Sequence, residues 1–347
     1  MDQLNTFFSS LDYFRSRSLR LVLKTQFIRE IYKDCAARLG VGYLLTVLFY
    51  LPLSFIRPDI LLLSGPLIFG YPHLIASFRY VDKRAAFLFS LLTLVCIVIH
   101  LTNFEIPIFG KFAFGVWQLI LAMAGLVIFN FFSRNFSFTQ IFFSLILSNF
   151  IIYLAQREAV IFIGLMLILH NWVGYFYWIL ASNKKSRRSV AIGALTVFFF
   201  IHLLVILGYM DQFFPTSHGQ IDFPGSTLNT GWYLASWTSE TVVWYRLLTL
   251  YAFGLSVHYY VWLKAIPQSL NKIEHPNSIQ RSFKILREEI GGKLLLIMGI
   301  VSVLGILIWL FSFDLGSRVY FELAIMHGAL ELVFFFPRLI KKFYISS

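Results

Sequence analysis

Apolar runs about as long as a bilayer-crossing helix dominate the chain, separated by short polar or basic segments. A helical span needs about 20 mostly apolar residues, whereas barrel strands would be short and alternating, so only helices fit the pattern. The runs predict ten spans, at 41–57, 60–80, 85–103, 112–132, 139–156, 158–182, 189–210, 239–263, 292–312 and 317–337. The expected fold class is all-α, a polytopic transmembrane helix bundle forming one domain over 41–337. An N-terminal segment (1–40), an outside loop (211–238), an inside loop (264–293) and a basic tail (338–347) complete it. The sequence shows no repeat, low-complexity tract or separate soluble domain.

Residues 1–40 break the apolar pattern with seven cations, from Arg15 to Arg38. Leu19, Leu23, Phe27 and Ile31 recur every four residues, which predicts an interfacial amphipathic helix whose cations suit anionic headgroups. The same cations leave no uninterrupted apolar stretch for a secretory signal.

Composition changes this picture little. Hydrophobic residues make up 58%, charged residues 13%, and mean hydropathy is +0.74, which excludes a water-soluble globule. The net charge of +12 does not imply nucleic acid, because the basic residues lie between apolar runs rather than in a basic domain. They read as topology signals. With the N-terminus inside, every Lys and Arg except Arg57, Lys111, Arg157, Arg246 and Arg318 falls in an inside segment. This predicts cytoplasmic termini at both ends of an integral protein of the bacterial inner membrane type. Trp232, Trp237, Trp244 and Trp309 are expected at the outer interface, and Trp178 and Trp262 at the inner one. Cys35, in the N-terminal segment, and Cys96, in an apolar run, lie too far apart in depth to pair.

Polar groups inside a membrane are costly unless they face protein or a cavity, so their positions are informative. His73, His170, His202, His258 and His327 fall within spans, and Glu331 is the one carboxylate deep in a span. His73, His170, His258 and His327 sit on spans two, six, eight and ten, which all run from outside to inside. At about 1.5 Å per residue they lie roughly 9–21 Å from the next inside cation, close enough in depth to converge. Gly70 and Pro72 should loosen the helix before His73, freeing carbonyls that could hold its tautomer, and Ser77 lies one turn later. Asn171 and Gly174 flank His170; Tyr259 and Tyr260 follow His258, and Pro267 is expected to stop that helix. His327 and Glu331 are four apart on one face.

Neutral imidazole is the commonest metal ligand, and four converging histidines with a carboxylate suit Fe(II) or Zn(II), iron being favoured for oxygen chemistry. A histidine at a helix interface is by default a hydrogen-bonded packing residue, and that is the reading for His202 and His100. The histidine motifs of membrane desaturases, HExxH, a P-loop, GxSxG and CxxCH are absent from the sequence. Haem b with two histidine ligands remains open, although no span carries two histidines.

The segments GYPHLIASFRY, SVHYYVWLKAIP and MHGALE resemble the histidine-bearing helices of the Brp/Blh family of membrane β-carotene cleavage oxygenases. Pro72 and His73 match the start of that family's PHGxxD pattern, with Leu74 in place of Gly. His327, Gly328 and Glu331 echo its HGxxD part with Glu for Asp. The resemblance implies intramembrane histidines that bind iron and a polyene substrate.

The expected function is a membrane-embedded metal oxygenase acting on a lipid-soluble, carotenoid-like or polyene substrate reached from the bilayer. His73, His170, His258 and His327 would hold the metal, and Glu331 would orient a ligand or act as a further carboxylate. A dioxygenase needs no electron donor; a monooxygenase would need a partner protein. Two other classes stay open, a transporter or channel using the same groups for protons or metal, and a structural or assembly protein.

Overall fold

The structure, a computed structural model, describes residues 2–77, 159–214, 241–270 and 278–312, together with 315, 316, 320, 323, 324 and 327. Regular structure among them is entirely helical. Among the described residues, four helices are long and apolar enough to cross a membrane: Cys35–Ile56, Ile60–Ser77, Lys185–Ile206 and Gly292–Phe311. Their outward faces carry bare apolar side chains such as Leu48, Phe49, Phe200, Ile206, Val303 and Leu310. Such continuous apolar surface is compatible with an integral membrane protein and not with water. The expected spans at 85–103, 112–132 and 139–156 lie outside the described residues.

The interior forms where Cys35–Ile56, Ala159–Ala181, Lys185–Ile206 and Thr241–Tyr260 pack against one another. Leu39, Tyr43, Tyr175, Trp178, Phe198 and Phe253 fill it. Its polar atoms are paired: Tyr43 donates to the Ala194 carbonyl at 2.9 Å and meets the Tyr175 hydroxyl at 3.0 Å. Trp178 Nε1 donates to Ser269 Oγ at 2.8 Å. Three of the tryptophans expected in interfacial belts lie inside the bundle, while Trp232 and Trp237 lie outside the described residues. Trp178, Trp262 and Trp309 are buried, because each indole finds more contact between helices than at an interface.

Two helices shift register rather than end. Pro58–Gly65 passes into a π-helical turn, Pro66–Gly70, before Tyr71–Ser77; Thr241–Tyr260 passes into another, Val261–Ala265, before Ile266–Leu270. In each, the residue after the turn donates to a carbonyl five back, Tyr71 to Pro66 and Ile266 to Val261, and a proline comes next. Pro72 and Pro267 lack the N–H that would bond four residues back, and the wider turn absorbs the loss. Pro267 therefore does not stop its helix, as the sequence had implied, since the chain resumes as Ile266–Leu270.

The N-terminal segment also differs from a single interfacial helix. It divides into Asp2–Val22 and Gln26–Lys33, so Leu19 and Leu23 do not share one continuous helix with Phe27 and Ile31. The first spanning helix begins at Cys35, with the Asp34 carboxylate accepting from Ala36 N at 2.9 Å. Cys35 is accordingly a buried residue of that helix. Asp2–Val22 docks on Ile279–Ile290: Phe8 packs on Phe283 with ring centres 4.7 Å apart, and Asp12 accepts from Ile279 N at 2.7 Å and Gln280 N at 3.0 Å. Burial raises the Asp12 carboxyl, but the Gln280 and Ile279 donors with Arg15 outweigh it and hold it below its ordinary value.

Candidate metal centre

Four imidazoles meet where the two interrupted helices approach the Ala159–Ala181 helix. His73 follows the first π-helical turn by three residues, and His258 precedes the second by three. The Tyr71–Ser77 helix packs against Val261–Ala265, which brings the helix bearing His73 against the turn that follows His258. Helical interruptions of this kind concentrate at functional sites, since they re-aim a side chain that a regular helix would point elsewhere. His170 comes from Ala159–Ala181, and His327 completes the group.

One ring nitrogen from each of His73, His170, His258 and His327 lies within 4.8 Å of the others. The rings form a closed circuit, with centres 4.7 Å apart for His73 and His258, 4.4 Å for His258 and His170, 5.5 Å for His170 and His327, and 4.5 Å for His327 and His73. Three of these contacts are near-perpendicular rather than stacked. His258 Nε2 and His73 Nε2 are 3.1 Å apart. His73, His258 and His327 are buried and His170 is half-buried.

The donor set suits a metal ion. Ligand nitrogens at bonds of about 2.1 Å stand between about 3 Å and about 4.2 Å apart, depending on whether they are adjacent or opposite. The His73 and His258 nitrogens, 3.1 Å apart, fall in that range, and all four ligand nitrogens lie within 4.8 Å of one another. Two facing Nε2 atoms share at most one proton when neutral, and His258 Nδ1 is buried with no hydrogen-bond partner among the described residues. A cation held here would instead draw on the lone pairs of four neutral imidazoles.

Around the imidazoles the wall is aromatic. Trp262 lies 5.8 Å from the His73 ring, 6.0 Å from His258 and 6.5 Å from His327, and stacks on Tyr177 at 5.5 Å. Only a glycine allows that approach at 174, where an added Cβ would stand 2.8 Å from Trp262 Nε1. Tyr259 touches both His73 and His258, and its hydroxyl pairs with that of Tyr320 at 2.9 Å. A Cβ at Gly70 would meet the Tyr320 hydroxyl at 2.6 Å, so the glycine before Tyr71 admits this pair.

The four histidines singled out by the sequence thus lie together. His202 does not join them: its Nδ1 lies 2.9 Å from the Phe198 carbonyl of its own helix, among Phe198, Phe253 and Trp172. Glu331 and His100 lie outside the described residues. The sequence reading did not assign Trp262, Tyr259 and Tyr320 to this wall, nor foresee the contact of Ser77 Oγ with His327 Nδ1 at 3.0 Å. The available cue was the proline placed the same distance from each histidine-bearing interruption. Comparison with known proteins finds no family model, curated protein or solved structure that matches the chain.

Proposed function

We propose that the chain is a membrane-embedded metal oxygenase acting on a lipid-soluble substrate of polyene type, with His73, His170, His258 and His327 holding one divalent ion, Fe(II) in the leading reading. The observation that carries this is the convergence of four imidazole nitrogens within 4.8 Å in an apolar interior. Rings in mutual contact favour a bare ion over haem b, whose macrocycle needs a gap between its ligands. Zn(II) would fit the same nitrogens, and the preference for iron follows from the resemblance to the carotene-cleaving family.

When bound, iron supplies redox chemistry with dioxygen. The protein's share is to hold and enclose it. His73 and His258 are fixed by the packing of the Tyr71–Ser77 helix on Val261–Ala265, the turn that follows His258. Trp262, Tyr177 and Tyr259 exclude water from the imidazole edges, which protects reactive species and strengthens every local electrostatic interaction. Glu331, one turn beyond His327, would serve as a further carboxylate at the ion or orient a neighbouring histidine. A dioxygenase needs nothing further, whereas a monooxygenase needs an electron-donor protein.

The proposed topology has ten spans and both termini cytoplasmic. Two docks support it by joining segments that the cation count assigns to one side. Asp2–Val22 lies on Ile279–Ile290, and the buried Arg187 donates to the carbonyls of Gln268 and Ser269, each at 3.3 Å. The paired interruptions beside the histidines also favour a second reading, metal transport, because broken helices often line ion sites in transporters.

The discriminating experiment is oxygen uptake by iron-loaded protein in detergent or nanodiscs supplied with a polyene such as β-carotene. The oxygenase reading expects uptake and product formation that require iron, oxygen and polyene together and vanish in His258→Ala. Iron that exchanges across sealed proteoliposomes, with no oxygen uptake, would replace it by transport.

A further inference from the structure

We propose that Ser77 is a positioning residue for the metal centre, fixing His327 as the tautomer that presents Nε2 to the shared point. The inference rests on the metal-centre reading and adds a residue to it. Ser77 is buried, and its Oγ lies 2.7 Å from the Leu74 carbonyl and 3.0 Å from His327 Nδ1. A hydroxyl has one proton and two lone pairs. The Leu74 carbonyl has no proton to give, so the serine proton points there, and toward His327 the oxygen can only accept. Nδ1 must then carry the imidazole N–H. A neutral ring has one N–H, so Nε2 keeps its lone pair as the nitrogen available to a metal.

The placement has a second consequence. His73 and Ser77 are four residues apart in Tyr71–Ser77 and so share one face. A single helical turn therefore supplies one ligand and orients another from a distant segment. The π-helical turn at Pro66–Gly70, just upstream, sets the direction of both at once. Partners that hold the second nitrogen of a ligating histidine in this way commonly contribute 10–100-fold in metal affinity.

The test uses Co(II) as a spectroscopic probe with the full-length protein in detergent, comparing wild type, Ser77→Ala and Ser77→Thr. Threonine keeps a hydroxyl that can bond back to the same turn. Ser77→Ala should bind Co(II) about 10–100-fold more weakly, with altered visible bands, and Ser77→Thr should restore both. A parallel measurement needs no variant of Ser77: the 15N spectrum of histidine-labelled apo protein, assigned with His327→Gln, should show His327 protonated at Nδ1. Co(II) affinity and bands in Ser77→Ala identical to wild type, or a His327 ring protonated at Nε2, would overturn this inference alone. Wild-type protein that takes up no metal would overturn the metal centre and the inference together.

Discussion

His202 and His258 are both intramembrane histidines by sequence and both are buried, yet their surroundings differ. The His202 imidazole is satisfied by the Phe198 carbonyl one turn away and enclosed by aromatic rings. His258 instead faces His73 at 3.1 Å, touches His170, and leaves Nδ1 unpaired among the described residues. One imidazole bonds within its own helix, and the other converges with three further imidazoles. Burial and residue type alone therefore do not separate a packing histidine from a ligand. The direction of the ring nitrogens does, and direction is set here by the register shifts at Pro66–Gly70 and Val261–Ala265.

The sharpest way to break this contrast is to remove one histidine from each niche. His258→Ala should lower metal affinity by more than about 100-fold, exceeding the loss of an orienting partner, as titration with Fe(II) or Co(II) would show. Glu331→Gln should retain folding and weaken metal retention or turnover by about 10–100-fold; unchanged metal content and activity would remove its proposed role. Gly174→Ala should cost about 1–3 kcal/mol in thermal or denaturant unfolding, because the added methyl meets Trp262 and pushes it toward the imidazoles. His202→Leu should leave metal affinity unchanged and shift stability by no more than about 1.5 kcal/mol, the scale of one hydrogen bond.

Far from both niches, Asp12→Ala should loosen the docking of Asp2–Val22 by an amount toward the lower end of about 0.5–2 kcal/mol, typical of a lost helix cap. Because the Asp12 carboxyl is held below its ordinary value of 3.8, its contribution is present above that value. It is lost as pH falls through the lower folded value. Limited proteolysis of the N-terminal helix between pH 7 and pH 3 would follow it.

Hydropathy alone made the helical class and the crossing segments legible, since apolar runs such as Gly292–Phe311 can be stable only against lipid or protein. Depth arithmetic also put the four histidines between the cytoplasmic half and the centre of the bilayer, close enough to converge. What it could not supply was rotation about each helix axis. The residue inserted by each π-helical turn changes which face follows, and the proline cue was read as a loosening at Pro72 and as a stop at Pro267. The Ser77 contact was hidden for a related reason, because residues 77 and 327 are neighbours only after two distant segments pack. The burial of Trp178 was not legible either, because composition cannot tell an interfacial indole from one whose N–H finds Ser269 inside the bundle.

Metal analysis of detergent-purified protein, grown with iron and washed with a weak chelator, tests the central claim most directly when wild type is compared with His258→Ala and His202→Leu. The four-histidine centre predicts one tightly held ion per chain in wild type and His202→Leu, and its loss in His258→Ala. No bound metal in wild type, or equal retention in all three proteins, would contradict it.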